Sequence, residues 1–574
     1  DNVNSTIDLD ERVGEFVSNG DETKVEFPVN QYFCYMDRFK WFMDQGDIEL
    51  ESDRTAAAAN EDLQLAGSNF ISSRPDQDSL SFMAPKARYD LKRHLITATS
   101  VQYIQVADAL ITPDSLTVRV RKNAEMDPLD HAEVLANFVT KYHKIYDANI
   151  VIKAKRQYSG KGFIDYVDEN NKSFKIELRN INVDTAYQTN ALGSITKEQD
   201  FQLSPAFDFF GDVRLVASAK DLTFSGSTRI QHGCEGLARN WMSFTGEIDP
   251  AEVFIPVADT LYDDQGALIG AGIYLTYEDP FSMYGTFLSR TKDDKDQKVI
   301  SAKGLLFYDK GRKEYMISNK DKIRQRELPG DLVALAVDNC TVLADGKVDL
   351  GVNLGQIKLT NVGNMRFDAE ADLASGNMVM MADFLFHDNA LERMAAEILA
   401  YPDQKPMDLA KTNYEKMLRE VLGLEASDKL ISELSIKGEI KKLPDELVKP
   451  IVLGDVRLKW DGPEQSWLSD GEIAVATILK KPVYRMVKGK VHLERKRSGD
   501  IMTIYLALDD QTYYFFQYTR NYLYAYSSDA SFNTMISELK DDKRTVDAKK
   551  DEPAYQFIIG TKRKVDDFRE RFRL

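Results

Sequence analysis

Cysteine, histidine, positive charge and long apolar runs are all scarce in this chain of 574 residues. The three cysteines, Cys34, Cys234 and Cys340, stand far apart. That excludes a disulfide-stapled mini-domain and a cysteine-rich zinc module; at most one disulfide can form, with one thiol left over. Of six histidines only His232 lies close to a cysteine, in His232-Gly-Cys234. A metal centre needs three or four ligands, and on an extended strand residues two apart share a face anyway, so the pair is read as structural. No metal, cofactor or catalytic residue is assigned. Apolar runs such as Val379-Met-Met-Ala-Asp-Phe-Leu-Phe386 fall far short of the roughly eighteen consecutive residues of a membrane helix. Lysine and arginine number 74 against 92 acids, a net charge of -18, which argues against nucleic acid as a partner because a phosphate backbone is repelled by an acidic field.

What the chain has is strand pattern. Its 29 phenylalanines and 26 tyrosines suit a pleated surface, and one phrase keeps returning. Ala84-Pro-Lys-Ala-Arg-Tyr89-Asp90-Leu-Lys-Arg-His-Leu95-Ile-Thr-Ala98 and Ala302-Lys-Gly-Leu-Leu-Phe-Tyr308-Asp309-Lys-Gly-Arg-Lys-Glu-Tyr315 each carry an alternating run to a Tyr-Asp, pass a short basic turn, and return. Looser copies turn after Asp44, Asp168 and Asp264. Period-two patterning over 80–387 predicts antiparallel hairpins in an extended jellyroll- or solenoid-like body, not βαβ units. Residues 1–24 read as a mobile polar lead-in, 25–79 as strands and a connector, and 130–141 as the one helical interruption.

The period changes at 388–435. Asn389-Ala-Leu-Glu392 resembles a capping box; Leu391, Met394 and Ile398, then Tyr414, Met417 and Val421, recur at helical spacing. These six are expected to pack together as a helical hairpin covering an exposed sheet edge. Gly423 is placed to end its second helix, and Ser427 to cap a third. Residues 436–574 read as a small α+β module with aromatic strands at 513–526 and a closing helix near 562–572. Ser194-Ile-Thr-Lys197 lacks the companion motifs of serine-lysine acyl enzymes, and Gly270-Ala-Gly272 leads into a strand; both are set aside. The acidic turns at 263–264 and 293–296 lack calcium-loop spacing and read as solvated turns. The chain begins at Asp1 without a signal peptide; the expectation is a processed protein or a piece of a longer one.

The phrase from Phe82 through Tyr89-Asp90 to Ile96-Thr-Ala98-Thr-Ser-Val101, echoed by Val216-Ala-Ser-Ala219-Lys-Asp-Leu222-Thr-Phe224, resembles the repeat of OstA-type lipopolysaccharide-transport proteins. Thr99-Ser100 stands where that family has glycine. The resemblance implies an open β-jellyroll whose inward faces line an apolar groove for acyl chains, with Phe82, Tyr89, Val101, Leu222 and Phe224 as candidate lipid- or partner-binding residues. It implies a non-enzymatic extracytoplasmic scaffold or carrier, periplasmic or outer-membrane associated, whose partners are lipid or other envelope proteins. The alternative is a carbohydrate-acting enzyme with dispersed catalytic carboxylates, recognisable by two close acids in one deep pocket.

Overall fold

The computed structural model describes residues 3–20, 23–53, 55–57, 64–402, 404–550 and 552–574. Strands hold 51% of the chain and helices 14%, so the class is mainly β, hairpin following hairpin, with a helical insert and helices at its end. No helix among the described residues is long and apolar enough to cross a membrane. The chain forms two compact units. The first comprises 1–228 and 244–253, the second 229–243 and 254–574. Their boundary therefore falls inside the 80–387 stretch, and the 388–435 helices share a unit with strands on both sides of them.

The recurrent Tyr-Asp explains the hairpins. In most of these turns the aspartate carboxylate folds back to accept backbone N–H groups, an Asx turn; Asp44 instead pairs with Arg12 at 2.9 Å. Asp90 accepts from Lys92 and Arg93 at 2.9 and 2.8 Å, Asp309 from Gly311 and Arg312 at 2.9 and 3.0 Å, and Asp168 from Asn170 and Lys172 at 2.9 and 2.8 Å. At the 263–264 turn the working residue is Asp263, bonded to the N–H groups of Gln265 and Ala267 and to the Arg290 guanidinium at 2.8 Å. Backbone N–H donors hold the Asp90 carboxyl below its ordinary range, Arg93 contributing most. Asp8 does the same at 2.9 Å with Asp10 and Glu11, so residues read as an aperiodic lead-in contain a hairpin, Val3–Asp8 paired with Val13–Ser18.

In the first unit a seven-stranded antiparallel sheet runs in the order Val3–Asp8, Val13–Ser18, Arg38–Phe42, Asp47–Glu51, Lys86–Asp90, Leu95–Thr99, Thr117–Val120. A four-stranded sheet, Ser81–Ala84, Ser68–Ser72, Tyr32–Tyr35, Lys24–Phe27, faces it: the Phe27 ring meets the edge of Tyr89 at 4.9 Å. Gly67, at φ 102°, permits a close crossing, since a Cβ there would lie 2.1 Å from the Ala84 carbonyl carbon. Thr55–Ala57 is a strand paired with Gln64–Ala66. An eleven-stranded sheet follows, from Ile104–Val106 to Met242–Ile248. The helix expected at 130–141 is instead its strand Leu129–Ala136. Ala132, Val134 and Ala136 alternate into the core, while Val139, needed for a helical face, is 76% exposed. A bulge at His131, φ 53°, had blurred the period.

The second unit is built on a sixteen-stranded sheet, antiparallel except where Tyr522–Ser527 runs beside Tyr555–Ile559. A smaller sheet of Leu261–Tyr262, Leu268–Leu275, Met283–Arg290 and Gln297–Ser301 accompanies it. The disulfide forms between Cys234 and Cys340, and Cys34 stays a buried thiol. The helical insert does not cover a sheet edge as expected: Leu373–Asp383 and Lys449–Asp461, the strands before and after it, pair directly, Ser375 opposite Lys459 and Met381 opposite Val452. Nor do the six insert residues form one cluster. Tyr414 and Met417 pack with Val362, Val379, Met381 and Leu434, with Val421 at the margin. Leu391, Met394 and Ile398 are buried on another helix, Asp388–Ala400, against Ile473–Leu479, Lys481–Glu494 and the Ala530–Ser537 helix. That helix is capped by His387, whose ring accepts the Asn389 N–H at 3.2 Å, so it starts one residue before the expected box. Gly423, at φ 77°, ends Tyr414–Leu422 as expected; the next helix starts at Leu424, ahead of Ser427.

Candidate functional site

Side chains from the start of the His143–Ala154 strand and from the turn before it reach across the eleven-stranded sheet to the turn after Phe207–Val216. His143 bonds the Ala219 carbonyl through its ring nitrogen at 2.7 Å, and Thr140 Oγ1 donates to the Ala217 carbonyl at 3.1 Å. Burial keeps the His143 imidazole below its ordinary pKa, so it stays neutral in this joint. The concave side fills with aromatic rings. Phe224 meets Tyr166 at 5.5 Å and Phe209 at 5.1 Å, and Phe201 meets Tyr166 at 5.3 Å. Edge-on contacts of this kind add to the burial that each ring already supplies.

Where the curl opens, these rings end in a cleft of about 690 Å³. Its apolar walls are Ile164, Tyr166, Leu222, Ile248 and Pro250, all presented by strand ends or the turn after Met242–Ile248. Tyr142 and Tyr146 stand at its margin. The Tyr146 hydroxyl donates to Asp165 at 2.7 Å; burial, then that carboxylate, pushes its pKa up to about 12. The rim carries Lys144 and Lys220 against Asp165, Asp221 and Asp249. Lys144 is already paired with Glu133 at 2.9 Å, and Lys220 lies 3.6 Å from Asp249. With three aspartates against two lysines, one of them held by Glu133, the rim is net acidic, and what the cleft offers an apolar ligand is its Ile164, Leu222 and Ile248 walls in a preformed concavity of ligand size.

Of the five residues singled out by the sequence, only Leu222 lines this cleft. Phe224, two residues on, is sealed within the aromatic core behind it. Phe82 stacks on Phe70 at 5.3 Å, Tyr89 packs on Phe27 with its hydroxyl 3.1 Å from His94 Nδ1, and Val101 is fully buried. Phe82 and Tyr89 lie on strands of the two sheets described first and Val101 in the loop after Leu95–Thr99, and none of the three lines the cleft with Leu222. Ile164, Tyr166 and Ile248 were missed because each reads as one more inward position of a strand; no local signal separates a cleft wall from core.

Asp455 is the buried acid with a raised pKa, the cause being burial. Its charged neighbour is the Arg457 guanidinium, 3.6 Å away, which is not the pair of carboxylates that glycoside hydrolysis uses. The Tyr513–Thr519 aromatics are buried on both faces of their strand, Tyr513 and Phe515 with Phe568 of the Lys562–Phe572 helix and Tyr514 and Phe516 against Phe532. Compared with models of known protein families the chain matches none, and comparison with curated proteins gives no match.

Proposed function

We propose that the protein acts by binding rather than by catalysis, as an extracytoplasmic scaffold or carrier of the cell envelope whose first unit holds the acyl part of a lipid or an apolar segment of a partner. The observation that carries this reading is the cleft at the open end of the curled sheet, with Leu222, Ile164 and Ile248 as its apolar walls. Burying eight methylenes there is worth roughly 6 kcal/mol, a dissociation constant of tens of micromolar. The Cys234–Cys340 bond supports an oxidising compartment, since such bonds persist outside the cytosol. The resemblance of the Phe82–Val101 phrase to lipopolysaccharide-transport repeats points the same way.

The test is titration of the purified chain with a fluorescent polyene fatty acid, with lipid extracts of the same preparation examined by mass spectrometry. Leu222→Trp fills the cleft without burying a charge and is expected to weaken binding at least about tenfold, while Leu116→Trp, at an exposed position, leaves it unchanged. Binding that is absent in the parent, or equal in parent and Leu222→Trp, rejects the carrier reading.

A further inference from the structure

We propose that a second site, in the other unit and independent of the cleft, binds a phosphate group. The register of the large sheet sets two rows of side chains side by side on one face. Leu343, Arg366, Ser375 and Lys459 form the first, and Asp345, Asn364, Asn377 and Arg457 the second. Further along the same strands, Val362, Val379 and Met381 are covered by the Tyr414–Leu422 helix. On the other side, Leu332 and Ala334 are covered by Ile323 of the short Lys320–Arg324 helix, with Leu343 against them. The two rows lie between these covers and floor a cavity of about 500 Å³.

Its charge is the reverse of the protein's. Lys322, Arg326, Arg366, Arg457 and Lys459 line it, against only Asp345 and Asp470, in a chain whose net charge is -18. Internal pairing does not use these cations up. Lys322 is fully buried, a rare place for a lysine, with its ammonium 2.7 Å from Asp345 Oδ1. The other oxygen of Asp345 takes Lys416, so one carboxylate answers two ammonium groups. Arg326 pairs with Glu314, yet its Nε is buried without a hydrogen-bond partner. Arg366 and Arg457 stand 3.6 Å from Asp368 and Asp455, beyond hydrogen-bond length, and with about half or more of each side chain in water these ion pairs are weak. Lys459 alone of the floor cations has a close acid, Asp470 at 3.1 Å.

Three guanidinium groups from separate elements line the cavity. Arg326 follows the short helix, Arg366 sits on Lys358–Asp368 and Arg457 on Lys449–Asp461. Several cationic donors on separate elements suit a tetrahedral anion with three acceptor oxygens, whereas a carboxylate presents two in one plane. The partly exposed Leu343 at one end adds an apolar margin, so the phosphate could be free or the headgroup of a lipid.

Isothermal titration of the full chain with inorganic phosphate, and separately with dihexanoyl phosphatidate below its micelle concentration, tests this. Binding of both with similar affinity identifies a free-phosphate site; phosphatidate at least about tenfold tighter identifies a headgroup site with the apolar margin engaged. In either case R366Q and R457Q are each expected to weaken binding about tenfold or more. Both positions are exposed on the sheet face, so unchanged circular dichroism and thermal melting are expected alongside. Arg497→Gln, in a distant basic turn, leaves binding as it was. Failure of the parent to bind either probe, or binding insensitive to the double variant R366Q/R457Q, overturns the proposal.

Discussion

Mild acid is expected to loosen the second unit through His492. This imidazole sits on the Lys481–Glu494 strand, 2% exposed, beneath the Lys562–Phe572 helix with the Phe572 ring 5.0 Å away. Its Nε2 is buried without a hydrogen-bond partner. Burial lowers its pKa from 6.5 to about 4, outweighing the opposing pull of Glu494; Arg571 and Lys496 push the same way as burial, and Glu464 opposes it. The folded state therefore refuses a proton that the unfolded chain accepts below 6.5. Stability is fully present above that value and is lost as the pH falls from 6.5 towards 4. The linkage amounts to about 2 kcal/mol at pH 5 and about 3 kcal/mol at pH 4. His492→Gln removes the titration and keeps the side chain neutral. Urea unfolding of parent and variant, followed at pH 7.5 and pH 5 by proteolysis of the second unit, isolates this group, because other titrations cancel in the double difference. The parent is expected to lose about 2 kcal/mol more than the variant over that interval. Equal losses would show that the folded imidazole is protonated at pH 5 and that water or a counter-charge reaches it.

Two further perturbations test the fold itself. Cys234 and Cys340 are 106 residues apart, so Cys340→Ser is expected to cost about 4–5 kcal/mol on a chain-entropy basis, and adding reductant to the parent is expected to reproduce the variant's urea midpoint; midpoints indifferent to both would mean that this loop is already restrained when unfolded. Met417, 1% exposed among Val362, Val379 and Tyr414, is expected to lose about 3–5 kcal/mol as Met417→Asp, because the new carboxylate has no partner there. A variant melting with the parent would place that helix face in water.

The β class, the hairpins and many of their turns could be read from the sequence because their causes are local. An alternating run needs only its own period, and an aspartate two to four residues ahead of the N–H groups it caps closes its own turn, as Asp90, Asp168 and Asp309 do. The insert helices were legible for the same reason: apolar spacing and Gly423 lie within a few residues of each other. Boundaries slipped where the local cue was shared. His387 capped a helix in place of Asn389, and a bulge at His131 made a strand read as a helix.

Everything that depends on which strands meet was decided by the tertiary structure. The sequence allowed one disulfide and left three ways to make it; folding brought Cys234 to Cys340 and buried Cys34. It marked Leu222 and Phe224 as equivalent inward positions, and only the curl of the sheet put one in a cleft wall and the other in a closed core. The cationic rows were invisible for a related reason. Arg366, Arg457 and Lys459 are spread over 94 positions of an acidic chain, and adjacency arises only when Leu373–Asp383 pairs with Lys449–Asp461 across the helical insert. Period and turn chemistry act over a few residues, whereas register and curvature are properties of strands that must first find each other.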